Sequence, residues 1–191
     1  NSLGGYVAKA TPGHLNAYEM FAQPRKAYLL HGVEPELDCH NPLSAISALK
    51  QAALVVMITP FKHGPALDYA DVLLPSTPFT ETSGTFVNCE VRVQSFSGVV
   101  SPLGESRPAW KVLRVLGNLL NLSGFDYETS EQVRGEVLGA NEFVTGLDNG
   151  LAENTINLPM PADGLQRISD VPIYFADPLV RRAQSLQKTT D

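Results

Sequence analysis

One stretch near the middle of the chain, residues 76–92, holds the densest group of side chains that could do chemistry. Six hydroxyl side chains fall in its first part: Ser76, Thr77, Thr80, Thr82, Ser83 and Thr85. One carboxylate, Glu81, lies among them, and Asn88, Glu90 and Arg92 follow at alternating positions. Such groups can act as acids and bases, cradle a polar ligand, or satisfy the backbone of a loop. The residue types alone leave these three possibilities open.

The alternating spacing of Asn88, Glu90 and Arg92 predicts that their side chains share one face if the segment is extended. An Arg–carboxylate pair beside an amide would make a polar site, but such pairs are also common scaffold contacts. The chemistry therefore favours a structural role, in which Glu90 and Arg92 pin the loop. On that interpretation Arg92→Ala lowers the melting temperature.

Other motifs that carry chemistry are absent from the sequence. The nucleophile elbow G-x-S-x-G, the phosphate loop G-x-x-x-x-G-K-[ST] and the dinucleotide fingerprint G-x-G-x-x-G do not occur. The histidines are His14, His31, His40 and His63. Only His40 adjoins another ligand type, Cys39, and adjacent residues seldom bind one metal. We expect no metal site, with His31 at a strand end and His40 in a loop before a helix.

The apolar runs predict an α/β fold. Three short runs are predicted strands: 26–33, 53–58 and 71–74. The second is apolar on both faces, which predicts a strand buried on both sides of a parallel sheet. A helix capped by Asn41 with Pro42 at its first position, and a helical turn at residues 65–68, connect the strands. Strand, helix, strand, crossover and strand indicate parallel order.

The pattern changes after residue 84. Residues 85–88 and 91–94 are predicted to be extended, and 97–108 to be a loop. A helix is predicted over 108–121 and a second over 129–138. The first has an apolar stripe and a stop at Ser123-Gly124; the stripe is Trp110, Leu113, Leu116 and Leu120. The second has Thr129 as cap, Gln132 in a capping box and Gly139 as stop. We expect an α/β domain at 1–145 and an irregular, extended C-terminal tail at 146–191.

Charge and composition exclude some partners. The formal net charge of −6 argues against nucleic acid and against anionic lipid surfaces. The longest apolar run, residues 52–59, is too short to span a bilayer. The start of the chain resembles no signal peptide and has no initiator Met, so we expect a piece of something longer. Two cysteines without ligand spacing, Cys39 and Cys89, predict reduced thiols in a cytoplasmic protein.

The stretch ADVLLPSTPFTETSGTFVNCEVRVQ, residues 70–94, resembles a signature of the molybdopterin oxidoreductase superfamily. In that signature E-x-x-G-T-x-x-N-x-E-x-R-x-Q follows a strand that ends in Leu-Pro. The continuation PLGESRPAWKVLRVLGNLL resembles the family's next loop and helix. The resemblance implies a Rossmann-like parallel-sheet domain. In relatives that bind the cofactor, this loop lies near the guanine-dinucleotide end of the pterin. The positions that would serve it here are Thr80, Glu81, Gly84, Asn88, Glu90 and Arg92.

Within the superfamily, the chain resembles the C-terminal part of the large iron–sulfur subunit of respiratory complex I, the NADH-quinone oxidoreductase. The segments that carry this likeness are YLLHGVEPELD, LDYADVLLP, TETSGTFVN and VPIYFADPLVRRAQSLQKT. It implies a structural fragment of the hydrophilic arm with no cofactor and no chemistry of its own, while the full subunit carries iron–sulfur clusters. Its partners would be other parts of the same subunit and neighbouring subunits. It would lie at the cytoplasmic face of the inner membrane, peripherally and without membrane insertion.

Position 91 departs from the family pattern, which often has Gly where this chain has Val91. Glycine permits positive φ and close backbone approach, and valine disfavours both. The departure predicts a vestigial cofactor site, in which the hydroxyls, Glu81 and Arg92 satisfy buried backbone groups where the sheet meets the next part of the subunit. Two alternatives remain. One is the pterin-dinucleotide-binding domain of a molybdopterin enzyme such as formate dehydrogenase, and the other is a free-standing α/β ligand-binding protein.

Overall fold

The structure is a computed structural model that describes residues 2–10, 13, 15–139, 164 and 171–189. The chain divides into two compact units, Asn1–Thr145 and Gly146–Asp191. Each unit is described by itself. The assignment of the second unit as a tail stays a prediction, since most of residues 146–170 lie outside the described residues.

The first unit contains short helices and strands in mixed order. Its described helices are α1 Ser2–Val7, α2 Ala17–Ala22, α3 Pro35–Asp38, α4 Pro42–Gln51, α5 Ala109–Leu119 and α6 Ser130–Leu138. Its described strands are β1 Ala27–His31, β2 Leu54–Thr59, β3 Val72–Pro75, β4 Gly84–Val87 and β5 Val93–Phe96. Single turns of 3-10 helix occur at Pro65–Asp68 and Phe79–Glu81.

The strands β1, β2 and β3 form a parallel sheet in that order. Leu30 lies opposite Met57, and Met57 lies opposite Leu73, so these side chains share one face. The helix α4 connects β1 to β2 and buries Ala48 and Leu49 in the same core. A helix-covered parallel sheet confirms the predicted α/β class.

The helix α4 begins where the sequence predicted. The Asn41 side chain accepts a hydrogen bond of 3.0 Å from the backbone N–H of Ser44, and Pro42 is the first helical residue. The predicted helical turn between β2 and β3 is also confirmed, at Pro65–Asp68. Local cap chemistry was sufficient for both because each depends on residues only a few positions apart.

The expectation that β2 is buried on both sides is correct only toward its carboxyl end. Ile58 is fully buried, but Leu54 is 43% exposed on the same face. Leu29 of β1 and Val72 of β3 also lie on this face and are about half exposed. Parallel sheets are normally covered on both faces, so this part of the sheet presents apolar surface.

Three short helices, α1, α2 and α3, were not predicted. The signal for α2 was present, because Asn16 and Glu19 form a capping box around its first turn. In the second half, the prediction for α6 is confirmed, with Thr129 as cap, Gln132 in the capping box and Gly139 at φ +43°. The predicted extension of α5 to Asn121 is wrong. The helix ends at Leu119, and Asn121 turns the chain with φ +56°.

The strands β4 and β5 form an antiparallel hairpin, with Val87 opposite Val93. The predicted extended segments are therefore real but shifted, and residues 88–92 form the connecting turn. Directly after β3, Ser76 pairs with Arg107 in a single parallel β-bridge. The backbone N–H of Thr77 donates a hydrogen bond to the carbonyl of Arg107 in this bridge.

In the second unit, residues 171–189 form three single turns of 3-10 helix, Ile173–Phe175, Val180–Arg182 and Leu186–Lys188. The Gln187 side-chain amide donates to Tyr174 O at 3.1 Å and to Val180 O at 3.2 Å. One side chain thus holds the three turns together.

Candidate functional site: the signature hairpin and the carboxyl edge of the sheet

The turn of the hairpin is built around the Asn88 side chain. Its Oδ1 accepts hydrogen bonds from the backbone N–H groups of Glu90 at 3.1 Å and Arg92 at 2.8 Å. The backbone closes the same turn, because Asn88 N donates to Arg92 O and Val91 N donates to Asn88 O. The prediction that Asn88, Glu90 and Arg92 share one face of an extended segment is wrong, since the chain reverses between them.

Val91 lies in the left-handed region with φ +61°. Valine therefore adopts here a conformation that the sequence predicted it to disfavour. A β-branched residue in this conformation is strained by about 1–2 kcal/mol, because its Cβ crowds the following carbonyl. The turn needs this conformation to place three N–H groups around Asn88, so the fold tolerates valine where glycine would fit without strain.

The predicted Glu90–Arg92 pair is not formed. Both side chains are exposed, and Arg92 takes part in the turn only through its backbone. Among the described residues its guanidinium has no hydrogen bond or ion pair. Glu90 Oε2 receives only a long contact of 3.5 Å from Asn88 Nδ2. The expectation that the Arg92 side chain satisfies backbone groups is therefore wrong.

The base of the hairpin uses its polar groups to hold residues 98–103. The carbonyl of Thr80 accepts from Val99 N at 2.8 Å and from Val100 N at 3.2 Å. The Glu81 carboxylate accepts from Leu103 N at 3.0 Å. Glu81 thus satisfies a backbone N–H, as the sequence predicted, but Leu103 is 82% exposed, so the prediction that this backbone group is buried is wrong.

Gly84 serves packing within the hairpin. A Cβ built on this residue would lie 2.6 Å from Cζ of Phe96, which is too close for any side chain. The Phe96 ring occupies this space and stacks on Phe86, with ring centroids 5.1 Å apart. The four residues of β4 separate this base from the Asn88 turn by about 13 Å. The six candidate positions therefore belong to two places, and no single site contains them all.

Three of the six hydroxyls of residues 76–85 bind other hydroxyls or nearby backbone. Ser83 Oγ lies 2.7 Å from Ser130 Oγ of α6, and Thr85 Oγ1 lies 3.1 Å from Ser95 Oγ. Thr82 donates to the carbonyl of Ser83 at 3.1 Å. The Ser83 contact ties the hairpin to α6, whereas the buried Thr77 Oγ1 has no hydrogen-bond partner among the described residues.

A cleft of about 560 Å³ opens beside the base of the hairpin. Its ionisable lining consists of Glu81, Glu128, Glu131 and Lys111. Trp110 contributes an aromatic wall, and among the described residues its indole N–H has no hydrogen-bond partner. The excess of carboxylates favours ligand groups that are cationic or that donate hydrogen bonds.

A second polar cluster, which sequence reasoning missed, lies in the loops that follow β1 and β2. Glu36 Oε1 lies 2.7 Å from Nε2 of His63, although the two groups are not aligned as a hydrogen bond. The Tyr69 hydroxyl donates to Glu36 Oε2 at 3.0 Å. Because carboxyl ends of parallel strands meet at one edge, the predicted strand order could have brought Glu36 and His63 together.

The environment of this cluster is acidic. Burial, with Glu36 as the next cause, raises the pKa of the Tyr69 hydroxyl well above its usual range. Burial raises the pKa of the Cys39 thiol, and the carboxylates of Asp38 and Glu36 add to the shift. Glu34, nearby in the chain, is buried. This shift favours the protonated form of the Cys39 thiol, which is the less nucleophilic form.

The comparisons with known proteins place the chain in a family. Residues 2–119 match the molybdopterin oxidoreductase family, which is more than half of the chain. The chain belongs to the molybdopterin oxidoreductase family. A Staphylococcus aureus protein (strain USA300) named "Putative formate dehydrogenase" is 34% identical over 113 residues, which are 57% of this chain and 11% of that protein. A protein of that name from strain MRSA252 is 32% identical over 111 residues, with the same coverage. The aligned region thus spans only 11% of these relatives.

The family implies a pterin dinucleotide, whose diphosphate is anionic. Gly32, directly after β1, has φ +62° and open space around it, so a ligand could approach the backbone there. However, the loop that follows carries Glu34, Glu36 and Asp38. The cleft beside the hairpin is also mainly acidic. Carboxylates repel a diphosphate, which requires N–H donors or cations. The side chains at these two surfaces do not fit that group.

Two further findings concern sites of other kinds. Among the described residues, no group of three or more His, Cys, Asp or Glu side chains could hold a metal ion. In the same part of the chain, none of the helices combines the length and the apolar character required to cross a bilayer. The predictions of no metal and no membrane insertion remain predictions for the whole protein.

Proposed function

We propose that the chain is a structural part of the hydrophilic arm of an NADH-quinone oxidoreductase, the C-terminal portion of its large iron–sulfur subunit. The observation that carries this proposal is the internal use of the signature loop. Asn88 binds the backbone of its own turn, and Glu81 binds the backbone of a neighbouring loop. Side chains that are engaged in this way support the fold and are not free to bind a cofactor.

The acidic surfaces support the same proposal. A domain that has lost its cofactor no longer needs cations to bind a diphosphate. At the carboxyl edge of the sheet, Glu36 and His63 lie against each other. On this proposal the chain itself has no cofactor, and the iron–sulfur clusters belong to the rest of the subunit. Its partners are other parts of that subunit and neighbouring subunits. It lies peripherally at the cytoplasmic face of the inner membrane.

The second unit adds exposed apolar side chains that a neighbouring surface would cover. Val171, just before the first described turn of this unit, and Ile173 and Phe175 within it are all exposed. Since a short segment of single turns cannot bury such residues alone, they suit a contact within a larger assembly.

One experiment tests the assignment to the complex. An antibody against this chain is used on a native gel of solubilised membranes from the source organism, with a parallel lane stained for NADH dehydrogenase activity. We expect the antibody to label a very large band that coincides with the NADH-oxidising band. A label on a smaller species without NADH activity would refute the proposal.

The second candidate is the pterin-dinucleotide-binding domain of a molybdopterin enzyme such as formate dehydrogenase. The names of the S. aureus relatives favour it. In this case the protein in the labelled band would oxidise formate and reduce an electron-accepting dye, and it would contain molybdenum. The gel thus separates the two candidates by substrate, since the parallel lane can be stained with formate in place of NADH.

A further inference from the structure

The helix α5 is apolar on two sides. On one side Gly117 is buried against the Phe125 ring, which lies where a Cβ would be. On the other side apolar residues recur at three-and-four spacing: Val112, Val115, Leu116 and Leu119. Leu119 is 75% exposed and Val115 is 50% exposed. Such spacing is typical of a helix that packs along another helix, and a helix apolar on two sides is normally covered on both.

This second stripe lines an open groove of about 480 Å³. Leu74, near the end of β3, completes its apolar surface. The remaining lining residues are Arg107, Lys111 and Arg114, and no acidic side chain of the described residues lines the groove. The chain as a whole has a net charge of −6, so the positive charge of this groove is opposite in sign to the net charge of the chain.

Arg114 is the cation that most needs a partner. Its Nε atom is shielded from water and has no hydrogen-bond partner among the described residues. A shielded guanidinium N–H is costly without an acceptor, and a carboxylate is its strongest acceptor. Lys111 lies beside the same groove, with its Nζ 5.3 Å from the centre of the Trp110 ring.

We propose that this groove docks an amphipathic helix of a protein partner, with an apolar stripe flanked by Glu or Asp side chains. The apolar stripe of the partner would pack on Val115 and Leu119 as ridges into grooves. Its carboxylates would pair with the cations of the rim, and with Arg114 in particular. The proposal rests on the groove alone and holds whichever oxidoreductase contains the chain.

Two synthetic helical peptides test the proposal. Both have the same leucine stripe; one has Glu at the flanking positions and the other has Lys. Their binding to the 191-residue chain is measured by fluorescence anisotropy at low and high salt. We expect the Glu peptide to bind at least about tenfold more tightly at low salt, and the preference to shrink at high salt.

Matched variants locate the binding. Leu119→Glu is expected to weaken the binding of the Glu peptide at least about tenfold, because it adds a negative charge to the stripe that faces this peptide. Leu43→Glu is the control, since Leu43 is 83% exposed at the start of α4, away from the groove lining. Arg114→Gln should reduce the preference for Glu over Lys. Circular dichroism confirms that each variant is folded.

Several outcomes would overturn the proposal. Equal affinity for the two peptides would show that the partner need not be acidic. Equal effects of Leu119→Glu and Leu43→Glu on peptide binding would show that the peptide does not bind in this groove. Self-association that Leu119→Glu abolishes, measured by sedimentation, would make a second copy the occupant. Binding to phosphatidylglycerol vesicles, with neither peptide bound, would make the surface a lipid site.

Discussion

The two halves of the first unit are stabilised in different ways. Between residues 27 and 75 the sheet and α4 build a packed core, with Leu49, Met57 and Ile58 almost inaccessible to water. Between residues 76 and 139 the only described buried hydrophobic side chain is Val87. The first half is held by apolar burial. The second half is held by caps, turns and polar contacts, and it leaves apolar surface for neighbours to cover.

Removing a core side chain should show the contrast most strongly. Met57→Ala is expected to lower the free energy of unfolding by about 2–5 kcal/mol, because Met57 is fully buried between two strands and α4. Leu119→Ala, on the exposed face of α5, should change it by less than about 0.5 kcal/mol. Urea denaturation of both variants measures the difference. Similar losses would mean that α5 carries core packing.

Two glycines test where the second half is tightly packed. Gly117→Ala should destabilise by about 1–3 kcal/mol, because its Cβ would lie 2.3 Å from the Phe125 ring. Gly135→Ala in α6 meets nothing within 4 Å and should stabilise by about 0.4–1 kcal/mol. Thermal and urea unfolding of the two variants measure whether each substitution stabilises or destabilises the protein. A neutral Gly117→Ala would show that Phe125 moves freely.

The hairpin turn depends on one side chain. Asn88→Ala should cost about 1–2 kcal/mol in the free energy of unfolding, because the N–H groups of Glu90 and Arg92 lose their acceptor. Asn88→Asp keeps the acceptor and should retain most of the stability. Arg92→Ala should change the melting temperature very little, since its side chain makes no described contact. A large loss in Arg92→Ala would instead support the loop-pinning role that the sequence suggested.

Strain at the same turn gives a smaller effect of opposite sign. Val91→Gly should raise the free energy of unfolding by about 0.5–1 kcal/mol, because relief of the positive φ exceeds the entropy cost of glycine. The matched change Val93→Gly lies in β5 and should destabilise. Chemical denaturation compares the two. Destabilisation by Val91→Gly would mean that the side chain itself contributes packing.

The smallest predicted effect is a pH dependence from Tyr69. The folded state raises the pKa of its hydroxyl, so this group contributes stability below its unfolded pKa and loses it as the pH rises. Between about pH 8 and pH 10 the loss should be about 0.4 kcal/mol. Unfolding in urea at both pH values, for the wild type and for Tyr69→Phe, isolates this contribution. If the free energy of unfolding changes equally with pH in the two proteins, Tyr69 does not contribute to the pH dependence.

Local chemistry explains which features the sequence could predict. The caps at Asn41 and Thr129 and the turn at Pro65–Asp68 involve residues within a few positions of each other, and each is found as predicted. The apolar runs predicted the parallel strands for the same reason. The prediction of an extended segment at Asn88 is wrong, because alternating polar residues are typical of a strand, whereas an Asn side chain can also bind its own backbone and form a turn.

The sequence by itself determined the class of the fold, the parallel direction of the three strands and the family signature, since these follow from periodicity and local motifs. The tertiary structure decided which polar groups meet. It brought Glu36 beside His63, separated Asn88 from Glu81, and left Val115 and Leu119 on an open groove. These outcomes depend on how loops distant in sequence fold onto one another. Spacing along the chain does not encode such contacts, whose energies are each only a few kcal/mol.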